Sequence, residues 1–133
     1  MRVLLIDDQP HVRLAVSIML QAYHCQVVEA ESGVVGLQKF KDTAIDLAII
    51  DIYLPGMDGV KIIKALRGMS PNLPIIAMSG VSLNLSDRTA LDYMSMLPYL
   101  SDIICLQKPF RPERLAEAIQ KTMSAGGGAA AAS

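Results

Sequence analysis

The sequence has no tryptophan and only two cysteines, Cys25 and Cys105. Two lone cysteines without metal-ligand spacing exclude a zinc ribbon or a disulfide scaffold. Both sit in or beside apolar, strand-like runs, where reduced, buried thiols of a cytosolic protein are expected. Charge is scarce and balanced: 12 Lys and Arg against 13 Asp and Glu, a net −1. Without a basic excess, nucleic acid is not expected as a direct partner. No apolar run is long enough to span a bilayer, so no membrane role is expected. Met1 runs almost directly into the strand-like stretch Val3 to Ile6, which leaves no room for a secretory signal. A glycine-rich turn is also missing after that first run, where Asp8-Gln9-Pro10 stands instead, and this excludes a dinucleotide fold.

What is there is 133 residues, 52% of them apolar, enough for one domain with a real core. Five short apolar runs recur: Val3–Ile6, Val27–Val28, Leu47–Ile50, Ile75–Met78 and Ile103–Leu106. Segments of helical periodicity separate them, the pattern of an α/β, doubly wound parallel sheet. The domain is expected over 1–124. The small-residue stretch 125–133 reads as a flexible low-complexity tail or linker outside it.

The first helix should open near Pro10, with Val12, Val16, Met19, Leu20 and Tyr23 facing the core. A second apolar stripe, Leu14, Ala15, Ile18 and Ala22, admits two readings: a shifted core face, or a partner surface. Ser32 suits the N-cap of a second helix that buries Gly36, Leu37 and Phe40. A third follows Gly59, with Val60, Ile63 and Leu66 inward and Lys61, Lys64 and Arg67 outward. Ser86 or Asp87 could cap a fourth through Leu91, Met94 and Leu97, stopped by Pro98. The last begins near Pro112 and lines up Leu115, Ile119, Thr122 and Met123.

The chain is organised around Asp46 to Gly59. Leu47–Ile50 reads as a strand buried on both faces that delivers Asp51 to a turn rich in proline and glycine. Taken alone, such an acid serves equally well as a strand cap. Yet Asp7 and Asp8 end the first strand, Ser79 ends the fourth, and Lys108 follows the fifth. In a parallel sheet these ends share one edge. Three converging carboxylates repel one another unless a cation neutralises them, and a hard divalent ion with oxygen ligands, Mg²⁺ first, fits. With a hydroxyl and an ammonium alongside, the cluster would cradle a phosphoryl group attacked by a carboxylate.

Leu5-Ile6-Asp7-Asp8, Asp51 with Leu54-Pro55-Gly56-Met57-Asp58-Gly59, Ser79, and Lys108-Pro109-Phe110 together resemble the receiver domain of two-component response regulators. The likeness covers Arg2 to about Met123. It implies a CheY-like, flavodoxin-like sheet in the order 2-1-3-4-5, flanked by five helices. It further implies a signalling protein, not an enzyme in the ordinary sense, with Asp51 as phosphoacceptor. Asp8, Asp51 and the backbone carbonyl of Tyr53 would hold Mg²⁺ directly, Asp7 through water. Ser79 would bond the phosphoryl group, Lys108 would pair with it, and Lys108–Pro109 would be cis. The implied donor is a sensor histidine kinase or a histidine phosphotransfer protein. The chain would then serve as a stand-alone regulator or phosphorelay intermediate.

Three departures stand out from the family pattern. Cys105 occupies the place of the usual strand-5 aromatic, which puts aromatic switching in doubt. The interval from Ser79 to Lys108 is several residues longer than usual, so helix 1, with Leu14 and Ile18, is expected to carry more of the recognition; a weak homodimer is also expected. Tyr53 and Val81, two positions after Asp51 and Ser79, could shield the phosphoryl group from water, although Tyr53 could equally just cover its loop. Other readings are a scaffold that is not phosphorylated, the receiver of a longer regulator with an output domain, and a Mg²⁺-dependent phosphohydrolase. The last lacks a second acid at position 53.

Overall fold

The computed structural model describes residues 1–52, 59–80 and 102–132, with side chains as far as Ser124. Five parallel strands, β1 (Arg2–Ile6), β2 (Gln26–Ala30), β3 (Leu47–Asp51), β4 (Ile75–Ser79) and β5 (Ile104–Gln107), form one sheet in the order β2-β1-β3-β4-β5. Four helices accompany them among the described residues: α1 (Pro10–Ala22), α2 (Gly33–Asp42), α3 (Gly59–Met69) and α4 (Pro112–Ala132). The helix expected between Ser86 and Leu97 lies outside the described residues.

The continuous apolar runs have a simple cause. β3 and β4 are buried along their whole length, and β1 after its first residue, because helices cover both faces of the sheet. Alternate residues then feed two separate cores. Leu4, Ile6, Ala48 and Ile50 meet Ile62, Ile63 and Leu66 of α3, with α2 alongside. Val3, Leu5, Leu47 and Ile49 meet Val16 and Leu20 of α1 and Leu115 and Ala118 of α4. Truncating any one of these fully buried leucines to alanine would cost about 2–5 kcal/mol.

Several local expectations hold. Pro10 opens α1, and the Ser32 hydroxyl caps α2 by accepting from the Val35 N–H at 3.2 Å. Gly36 is buried, with Leu37 and Phe40 packed against the core.

Others need correction. Tyr23 is 45% exposed, because α1 ends at Ala22 and the chain turns away; Ser17 is buried on the core side instead. On α3 the core face is wider than expected: Ile62 is fully buried beside Ile63 and Leu66, and Val60 packs half-buried against the same core. Arg67, expected outward, is half-buried and reaches Asp102 at 3.0 Å. Residues 125–132, expected as a loose tail, continue α4. Extending an existing helix needs no new nucleus, and its alanines are the strongest helix formers.

The second stripe of α1 is not a shifted core face. Leu14 is 61% and Ile18 57% exposed, and Ala15 and Ala22 are exposed beside them.

Candidate functional site

The strand order reverses direction between β1 and β3, and in open α/β sheets the crevice at the carboxyl ends of such neighbours is where ligands bind. Asp7 follows β1 and extends its ladder by one bond, from its N–H to the Ala30 carbonyl at 3.1 Å. Asp51 is the last residue of β3, opposite Met78 of β4. Both acids are almost completely buried, whereas Asp8 is exposed. Ligand oxygens of Asp7, Asp8 and Asp51 lie within 4.8 Å of one another.

Ser79 ends β4 and is wholly buried. Its carbonyl accepts from the Lys108 N–H at 2.7 Å, which fixes the start of the segment after β5. From there the Lys108 Nζ donates to Asp7 Oδ2 and Asp51 Oδ2, both at 2.9 Å. Burial alone would push this ammonium down, but the bonds to Asp51 and Asp7 and their charges outweigh it and hold its pKa above the ordinary value. The Lys108–Pro109 peptide is cis.

The floor of the site is tightly built. The Gly59 N–H donates to the Ile52 carbonyl at 3.1 Å, and a Cβ at position 59 would run into the Ile52 backbone. Only glycine lets α3 begin so close to the residue after Asp51.

Cys105 pairs with Ala77 in register and is half-buried against the α2–α3 core. Burial, and secondarily the charge of Asp51, push its thiol up. It lies at the position expected from sequence, but as a thiol that resists ionisation. Tyr53 and Val81 lie outside the described residues. Leu14 and Ile18 are exposed on α1 and belong to none of these contacts.

One residue was not singled out by sequence pattern. Arg13 donates from Nη1 to the Asp7 carbonyl at 2.7 Å. The available signal was weak: an arginine one turn into a helix that opens directly after an acid pair.

The donor set fits a hard cation. All three groups offer carboxylate oxygens, and the Lys108 ammonium faces two buried carboxylates with a third nearby. With a buried hydroxyl-bearing residue, an ammonium and three acids on one edge, the arrangement can bind and orient a small tetrahedral anion next to a nucleophilic oxygen.

A family model described as the response regulator receiver domain matches residues 3–120. The chain is 30% identical over 124 residues to the chemotaxis protein CheY of Bacillus subtilis (strain 168), covering 92% of this chain and 98% of that protein. It is 25% identical over 120 residues to the sporulation initiation phosphotransferase F of the same organism, covering 90% and 91%. Among solved structures, the chemotaxis protein CheY4 of Vibrio cholerae superposes with a TM-score of 0.78 at 28% identity, over 91% of this chain and 97% of that one.

Proposed function

The chain belongs to the response regulator receiver domain family, and from that premise we propose that Asp51 accepts a phosphoryl group from a histidine kinase or a histidine phosphotransfer protein in a Mg²⁺-dependent reaction. Receiver domains are signalling units that interact with kinases and phosphotransfer proteins. This one would act as a stand-alone regulator or a phosphorelay intermediate. The observation that carries the reading is Lys108, bonded at once to Asp7 and Asp51 with Asp8 alongside.

In the proposed reaction a carboxylate oxygen of Asp51 attacks phosphorus in line. The bond from phosphorus to the donor's imidazole nitrogen breaks, its electron pair stays on that nitrogen, and an acyl phosphate forms. Lys108 neutralises a phosphoryl oxygen and the Ser79 hydroxyl donates to another. Asp8, Asp51 and the Tyr53 carbonyl would hold Mg²⁺ directly and Asp7 through water. Bound there, the ion supplies charge neutralisation for the phosphoryl oxygens. Leu14 and Ile18 are proposed as the surface that the phosphodonor protein covers.

The test is intact mass after incubation with acetyl phosphate and Mg²⁺. One added phosphoryl group is expected, lost in Asp51→Asn and lost when the metal is chelated. A scaffold without phosphorylation is the second reading, favoured by Cys105 in the place of the family's aromatic. Absence of any adduct, from acetyl phosphate and from histidine donors alike, would sink the first reading and leave that one.

A further inference from the structure

We propose that Arg13 is the positioning residue of the acid pair, fixing the Asp7–Asp8 peptide and thereby where the Asp8 carboxylate stands. The inference rests on the reading of Asp7, Asp8 and Asp51 as a Mg²⁺ site. The paired register of β1 with β2 and with β3 stops at Ile6. The Asp7 N–H still finds the Ala30 carbonyl, but the Asp7 carbonyl lies beyond both ladders. A buried carbonyl without a donor is costly, and here the donor is the Arg13 guanidinium, in a short, charge-assisted bond of 2.7 Å.

The side chain of Asp7 does not need that support. Its Oδ1 accepts from the Gln9 N–H at 2.8 Å and its Oδ2 from Lys108 at 2.9 Å. Asp8 differs. It is exposed, and among the described residues its carboxylate makes no hydrogen bond or ion pair. Its place beside Asp51 is therefore inherited from the peptide before it, the one Arg13 ties down. The Arg13 Nε also lies 3.6 Å from the Glu29 carboxylate, which is 45% exposed; such a pair orients the guanidinium and adds little energy.

Two effects of removing Arg13 have opposite signs. Losing a cation near three acids favours Mg²⁺, whereas losing the anchor lets Asp8 wander and disfavours it. Outer-shell partners of metal ligands are commonly worth about tenfold or more in affinity, so the anchor should win.

The measurement is Mg²⁺ affinity of the whole protein, by calorimetry or by NMR titration, for the unaltered chain, Arg13→Met, Arg13→Lys and Glu29→Gln. Circular dichroism establishes that each variant is folded. Arg13→Met should weaken binding about tenfold. Arg13→Lys, which keeps a charged donor of similar reach, should restore most of it, and Glu29→Gln should leave it within about twofold. Arg13→Met binding Mg²⁺ as tightly as the unaltered chain, or more tightly, would overturn the proposal, as would failure of the lysine to rescue. Absence of saturable binding by the unaltered chain would overturn the metal reading itself, and this inference with it.

Discussion

The Lys108 ammonium stands 2.9 Å from the Asp51 carboxylate, and the two side chains are only 12% and 6% exposed. With Asp7 bonded to the same nitrogen, one residue after β5 holds the ends of β1 and β3 together. Removing one member of such a buried cluster leaves uncompensated charge, at a cost of about 3–5 kcal/mol. Lys108→Met should lower metal-free stability by about that much in urea unfolding, and added Mg²⁺ should recover part of the loss. Equal stability of the two proteins without metal would refute this.

The same ammonium sets a pH window. Its folded pKa is raised above 10.5, the opposing effect of burial being outweighed by Asp51 and Asp7. A raised folded pKa stabilises fully below the unfolded value and is lost as pH rises through the folded one. The stability difference between the unaltered chain and Lys108→Met should thus stay level from neutral pH to about pH 10 and shrink above it. Urea midpoints across that range decide the point; a difference that shrinks below pH 9 contradicts it.

Leu14 and Ile18 stand side by side on the solvent face of α1, each more than half exposed. Replacing both with glutamate removes no buried contact, so thermal stability should change by less than about 1 kcal/mol. Phosphotransfer from a histidine donor protein should slow at least about tenfold, the loss of roughly 1.4 kcal/mol of docking, while phosphorylation by acetyl phosphate stays the same. Equal slowing with both donors would show that the pair matters to the site and not to docking.

α1 closes with the Cys25 N–H on the Leu20 carbonyl at 3.1 Å and the His24 N–H on the Gln21 carbonyl at 3.0 Å. This is a Schellman motif with a histidine, φ 63°, at the position that glycine usually fills. Left-handed backbone costs a side-chain-bearing residue about 1–2 kcal/mol, and glycine gives back part of that gain as unfolded-chain entropy. His24→Gly should stabilise by about 0.5–1 kcal/mol in urea unfolding. A destabilised variant would mean that the His24 side chain contributes more than its strain.

The sheet was legible because continuous apolar runs of strand length, separated by helical periodicity, have few other solutions. The convergence of Asp7, Asp8 and Asp51 with Lys108 was legible because these residues, like Ser79, fall at strand ends, and a parallel sheet gathers those ends at one edge. Periodicity was weaker at the edges of a helix face, hence the missed Ile62 on α3 and, on α1, Tyr23 in place of Ser17. For Leu14 and Ile18 it left two options, which only burial could separate. Composition misjudged 125–132, where low complexity and helix propensity point in opposite directions. Arg13 was invisible because its partner is a backbone carbonyl, and no spacing of side chains announces such a bond.

Three acid oxygens gathered within 4.8 Å, two of their owners buried, are a burden to the fold whenever no ion is bound. Of the three, only Asp8 is exposed and outside the Lys108 bonds, so its neutralisation relieves repulsion without orphaning a partner among the described residues. In a drifting lineage screened for abundance alone, Asp8 would be the first of these acids to disappear. Its retention in a descendant is then a record of selection on signalling rather than on folding.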